Sequence, residues 1–322
     1  HTAHCVGSRV CGSIGSIYCR AAAADGAAQC PAPCMPTDTP PVQRAIHAAA
    51  LRRVAARQAR AAAAPWLHGE VARRMAERLP VIRQKPATVI DWWAHAGASQ
   101  AVLAQAYPKA QRLRVETLPV PAPCHAPWWS MQRWRREAPA VDEAAVPAAA
   151  GQLVWANMML HAVADPQPLM QRWRRALAAD GFLMFSTFGP DTLAGLRALY
   201  REAGWGAAHA PFIDMHDLGD MLVAAGFADP VMDQERLRLT WATPEALLGE
   251  LRSLGGNADP GRHAGLRTPR WRARLLSALR ERADGEGRIA LDFELVYGHA
   301  FNPPPRARLA AETRLTPDDL RA

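Results

Sequence analysis

Two carboxylates stand where a nucleoside could be held. Asp91 closes the short apolar run KPATVID, and Glu116 closes the alternating run QRLRVE 25 residues further on. In an open α/β sheet, ligands lie in the crevice beyond the carboxyl ends of the strands. An acid ending the second strand accepts hydrogen bonds from ribose hydroxyls, and this logic serves nucleoside-bearing cofactors of several kinds. Metal chemistry has weaker support. His209 and His216 flank Asp214, but no second ligand cluster accompanies them. The cysteines form no CxxC pair, so no metal site is expected.

The elements that would position these acids alternate along the chain. Apolar runs predict strands over 85–91, 111–116, 153–156, 182–188, 236–241 and 288–297. Helical patterns cover 42–79, broken near Pro65, and 98–107, stopped by Pro108. Further helices are predicted over 166–179 with Asp165 as N-cap, over 191–203 capped by Asp191, and over 217–225. Two more fall at 244–254 and 269–283. Residues 118–150 read as loop with a helix around 128–137, and Met158, Met159 and Leu160 read as core. This alternation predicts a mainly parallel sheet with helices on both faces.

The stretch LVWANMMLHAVADPQPLMQRWRRALAADGFLMFSTFGPDTLAGLR, residues 153–197, resembles the fourth strand, helix and fifth strand of malonyl-acyl carrier protein O-methyltransferases of biotin synthesis. FSTFGPDTL at 185–193 is its sharpest piece. DMHDLG at 214–219, AGFADPVMDQE at 225–235, LRSLGGNADPGR at 251–262 and VYGHAF at 296–301 extend the likeness, which covers about residues 66–301. The resemblance implies a Rossmann-like class I methyltransferase: a seven-stranded, mainly parallel sheet with a helical lid, 244–283, inserted before the last strand. It implies S-adenosyl-L-methionine as cofactor and a malonyl-bearing acyl carrier protein as partner. The family's loop has the form D-x-G-x-G-x-G. Here Asp91 and Gly97 match its ends, while Trp93 and His95 occupy the first two glycine positions. Glu116 would take the ribose, Asp142 lies where the family places an acid near the adenine, and Asn157 lies near the methionine moiety. Gln152 replaces an acid common at the start of the fourth strand. Arg262, in the insert, is the candidate for the malonyl carboxylate. A carboxylate is already ionised near neutral pH, so no catalytic acid or base is assigned. The same core resembles mitochondrial complex I assembly factors that hydroxylate protein arginines. A loop without its glycines also suits an assembly or regulatory protein that transfers no methyl group.

Composition bounds these readings. The 322 residues are 49% hydrophobic and 21% charged, enough for a large core. No apolar run reaches the roughly 18 residues of a membrane helix. The net charge of +8 is almost wholly arginine, since only Lys85 and Lys109 are lysines. Most arginines lie along helical stretches as solvated faces, and a basic exterior favours encounter with an acidic carrier protein. Asn157-Met158-Met159-Leu160 takes the place of an Asn-Pro-Pro-Tyr-like motif, so a nucleic-acid partner is not expected. Five of six cysteines precede residue 35 and only Cys124 sits in the body, which fits a reducing, cytoplasmic setting. Residues 1–41 are expected to be a disordered tail with a natural start at Met35. Residues 42–301 would form the domain and 302–322 a second disordered tail.

Overall fold

The computed structural model describes residues 45–118 and 140–304. The expected first tail with its start at Met35, the helix near 128–137, all but the first three residues of the second tail, and all six cysteines lie outside the described residues.

Seven strands form one sheet: β1 (Thr88–Trp92), β2 (Gln111–Glu116), β3 (Val141–Asp142), β4 (Gly151–Ala156), β5 (Leu177–Phe188), β6 (Ala228–Trp241) and β7 (Ile289–Phe301). Their order is β3-β2-β1-β4-β5-β7-β6. Every pair is parallel except those of β7, which runs antiparallel to both neighbours. The helices are α1 (Ala48–Ala59), α2 (Trp66–Ala76), the single turn α3 (Ala94–Gly97), α4 (Gln100–Ala106), α5 (Pro166–Ala176), α6 (Ala194–Glu202), α7 (Met215–Ala224), α8 (Pro244–Leu254) and α9 (Pro269–Arg280). The helices α8 and α9 form the expected insert between β6 and β7.

Alternation along the strands explains the layering. Val89, Leu153, Phe182, Met184 and Leu295 face one core with α2, α6, α8 and α9. Their neighbours Ile90, Val154, Leu183, Phe185 and Val296 face the other, with α5 and α7. Three helix starts share one pattern. Asp165, Thr243 and Thr268 each accept a backbone N–H from the first turn, and each precedes a proline at the first helical position. On α5, the residues Leu169, Met170, Trp173 and Ala176 then repeat at helical spacing and are buried.

Several boundaries differ from the sequence expectation. The predicted cap Asp191 does not cap a helix. Leu193, in the left-handed region at φ 57°, precedes α6, and Asp191 pairs with Arg236. The strand β5 starts at Leu177 and passes through Asp180 at φ 61°, so the helix before it ends sooner than predicted. The strand β6 begins eight residues earlier than expected, at Ala228, and the two-residue β3 carries too little pattern to be read at all.

The motif FGPDTL is sewn to β7 by buried Glu294. The Gly189 N–H donates to the Glu294 carbonyl at 2.9 Å, and the Asp191 N–H donates to Glu294 Oε2 at 2.6 Å. The Thr192 hydroxyl donates to the same carbonyl at 2.9 Å. A Cβ at Gly189 would stand 2.5 Å from Glu294 Cδ, so glycine is required by space. This clamp fixes Phe188 at the carboxyl end of β5. Gly189→Ala is expected to lower stability by about 1–3 kcal/mol through overpacking. Gly195→Ala, whose Cβ meets only Leu291 at 3.9 Å, is expected to cost nothing. Urea unfolding of the two variants measures the difference.

Candidate active site at the carboxyl edge of the sheet

The chain order reverses between β1 and β4. From β1 it runs outward to β2 and β3, and from β4 it runs the other way to β5. A crevice opens at such a point, and the β1–α4 loop crosses it. That loop starts with Trp93 in the left-handed region (φ 54°, ψ 48°), makes the turn α3, and returns through Ala98 at φ 54°. Trp93 is the first expected glycine position. A side chain there costs about 1–2 kcal/mol. The indole Nε1 of Trp93 donates to Glu143 Oε1 at 2.6 Å, and Trp92 Nε1 donates to the same oxygen at 3.0 Å. Arg172 lies 3.4 Å from the other oxygen. A hydrogen bond to a charged acceptor contributes about 1.5–3 kcal/mol, enough to offset the backbone strain. A side-chain anchor thus holds the turn that glycine would otherwise permit.

The second substituted position is also used. The His95 N–H donates to Glu116 Oε1 at 2.8 Å, and its ring Nε2 lies 3.2 Å from the Gln58 carbonyl of α1, to which it donates. At the loop's end, Asn157 Nδ2 donates to the Gly97 carbonyl at 2.6 Å and to the His68 carbonyl at 2.8 Å. Its Oδ1 accepts the Ser186 hydroxyl at 2.7 Å. A Cβ at Gly97 would sit 3.0 Å from Ser99 Oγ and 3.4 Å from the Asn157 carbonyl, so this glycine answers a close approach.

Electrostatics leave acceptors in place. Asp91 is fully buried, and burial pushes its carboxyl up to about 7. One of its oxygens takes a hydrogen bond from Ser99, which in turn accepts Trp155 Nε1 at 3.0 Å. Its Oδ1 has no partner. Glu116 is also raised by burial, and the His95 N–H opposes the shift. His68 is buried and held neutral, with burial lowering it to about 4. Its Nδ1 meets the Ala96 carbonyl at 2.7 Å and must carry the hydrogen, which leaves Nε2 as a bare acceptor without a partner.

The structure therefore gathers Asp91, Gly97, Glu116 and Asn157 about one loop. Asp142 stands exposed at the outer rim, where it accepts the Ala144 N–H at 2.8 Å. The acid turned toward the loop is its neighbour Glu143, which sequence reasoning missed. Two adjacent indoles after Asp91, each with a donor to satisfy, were the available signal. Arg262 lies in the insert, beside Gly206, and its buried Nε has no hydrogen-bond partner. A row of rings runs between that region and the loop. His209 stacks on Phe212 at 4.9 Å, Phe212 meets Phe188 at 5.5 Å, Phe188 meets His161 at 4.7 Å, and His161 meets His68 at 6.2 Å. His209 is thus an aromatic partner, while Asp214 caps α7 and bonds His216, so the three do not converge on a metal.

Glu116 lines the cleft beside the loop, while Asp91 and His68 lie buried beneath it, each with a polar atom that has no partner. Room in the cleft is limited by α1. The cleft between α1 and the loop, lined by Ala55, Gln58, Ala59, Trp93, His95 and Glu116, holds about 30 Å³, space for a water or two. Ala55, Gln58 and Ala59 of α1 form one wall of this space.

Fold and crevice together define a class I methyltransferase architecture. A family model described as a methyltransferase domain matches residues 66–229. The malonyl-[acyl-carrier protein] O-methyltransferase of Laribacter hongkongensis is 39% identical over 271 residues, 81% of this chain and 90% of that protein. Those of Halorhodospira halophila and Gallionella capsiferriformans are 37% and 38% identical, over 79% and 74% of this chain and 88% and 85% of theirs. The chain belongs to the malonyl-[acyl-carrier protein] O-methyltransferase family.

Asp91 and His68 oppose each other in pH. The raised Asp91 stabilises the fold below its unfolded value of 3.8 relative to higher pH, and this is lost as pH rises toward about 7. The lowered His68 stabilises the fold above 6.5, and this is lost as pH falls toward about 4. Asp91→Asn is therefore expected to gain stability as pH rises from 4 to 6.5. His68→Gln is expected to lose it over the same window. Denaturant unfolding at a series of pH values checks both slopes, and parallel slopes in the two variants would contradict the assignment.

Proposed function

We propose that this protein methylates the free carboxylate of a malonyl thioester on an acyl carrier protein, in biotin synthesis, with S-adenosyl-L-methionine as donor. The observation that carries the reading is the acceptor set around the β1–α4 loop, kept together in a chain of this family although two loop glycines are gone. Glu116 would hold the ribose hydroxyls, and Glu143 with Asp142 would border the adenine. Gly97, fixed by Asn157, would allow the close approach of the methionine portion. Asp91 would support the loop from beneath through Ser99.

When bound, the cofactor supplies an electrophilic methyl group on a sulfonium. The chain's own residues need not remove a proton, because the acceptor carboxylate is ionised at neutral pH. Their work is to align the oxygen and to exclude water. Arg262 offers an unused donor and a fixed fork of charge for the carboxylate. The helices α8 and α9, inserted between β6 and β7, would supply the lid that excludes water. The arginine-rich surface assists encounter with the acidic carrier protein. The reaction would take place in the cytoplasm. Among the described residues no helix is long and apolar enough to cross a membrane.

Loss of Arg262 removes charge-assisted hydrogen bonds worth about 1.5–3 kcal/mol. Arg262→Ala is expected to raise KM for malonyl-carrier protein by roughly 10–100-fold with little change in kcat. Affinity for S-adenosylhomocysteine should stay within about twofold. Steady-state kinetics with unchanged kcat/KM would remove Arg262 from the acceptor site.

A further inference from the structure

A second, larger cavity lies beside the loop, between the α1–α2 turn and α8. It measures about 400 Å³, and Arg57, Trp66, Ala96, Gly249, Glu250 and Arg252 are among its walls. Four of its features point to a ligand. Trp66 stands 60% exposed at its edge, where its ring offers an apolar face to whatever enters. Gly249 sits inside α8, where glycine costs about 1 kcal/mol relative to alanine. A Cβ there would meet no atom within 4 Å, so no neighbour demands the glycine. What its missing side chain preserves is the width of the cavity. Glu250 Oε1 is buried without a hydrogen-bond partner, an acceptor awaiting an N–H. Arg252 is exposed at the rim, and Arg57, near enough to feel its charge, is fixed by donating to the Arg252 and Gly255 carbonyls.

The complementary molecule is long, thin and largely uncharged, carries amide N–H groups, and ends outside in an anion. Ala96, whose carbonyl accepts from His68 within the cofactor loop, also lines the cavity. We propose that this cavity receives the phosphopantetheine arm of the carrier protein. The phosphate sits at Arg252, an arm amide donates to Glu250, Trp66 covers the chain, and the thioester end passes Ala96 toward the crevice. The assignment rests on the carrier-protein reading above but is tested without methyl transfer.

The test is binding of fluorescently labelled acyl carrier protein to the full chain, by anisotropy, in the holo form and in the apo form that lacks the arm. Holo carrier protein is expected to bind at least about tenfold tighter than apo, and coenzyme A, which bears the same arm, should compete. Gly249→Phe fills the cavity and is expected to bring holo affinity down to the apo level with apo affinity unchanged. Arg252→Glu should weaken holo binding about tenfold. Thermal melting and S-adenosylhomocysteine affinity confirm that each variant is folded, and Gly249→Leu replaces the phenylalanine variant if it is not. Equal binding of holo and apo forms by the parent, or a holo preference kept in folded Gly249→Phe and Gly249→Leu, would overturn the proposal. A holo preference in a protein that methylates no malonyl thioester would support the cavity assignment while defeating the proposed reaction.

Discussion

Asn157 is the joint on which the crevice depends. Its buried amide ties the loop at Gly97, the start of α2 at His68 and the end of β5 at Ser186, all from the end of β4. Both ends of the amide are used, and no water is needed to complete them. Losing one such partner in a buried site leaves orphaned carbonyls at a cost of about 1–3 kcal/mol each. The ring row from His68 to His209 and the placement of Phe188 by Glu294 both extend outward from this joint. The cofactor loop is therefore held from below by hydrogen bonds to side chains rather than by its own glycines.

That substitution of support explains how the loop keeps a glycine-like path. Trp93 adopts the left-handed conformation because Glu143 anchors its indole, and His95 fits because its ring finds the end of α1. The cost of one left-handed non-glycine residue is similar in size to one charged hydrogen bond, so the exchange is close to neutral for stability. It is not neutral for access. Each replacement side chain is bonded to another element, Trp93 to Glu143 and His95 to α1, and α1 bounds the cleft of about 30 Å³. The helix is also bound to the far side. Gln58 donates to the carbonyls of Ser253 and Leu254, and Arg57 to those of Arg252 and Gly255. These are the orphan carbonyls at the end of α8, so α1 joins the cofactor loop to the insert.

Much of this was legible in the chain. Apolar runs ending in acids found β1 and β2, and helical patterns found α8 and α9, because these signals are local. The gathering of Asp91, Gly97, Glu116 and Asn157 followed from the resemblance, and the sheet topology brings them together. What was not legible depends on distant partners. Glu143 gains its role from two indoles 50 and 51 residues earlier. Asp191 looked like a cap, yet Arg236 on β6 claims its carboxylate and Leu193 takes the left-handed step instead. The strand β3 is two residues long and has no period to read.

The central claim is that the loop, rebuilt with Trp93 and His95, still holds the cofactor. Calorimetric titration of S-adenosylhomocysteine into the protein tests it most directly. Binding with a micromolar dissociation constant, about −8 kcal/mol, is predicted. Absence of binding up to millimolar ligand would contradict the account and leave the crevice a structural remnant.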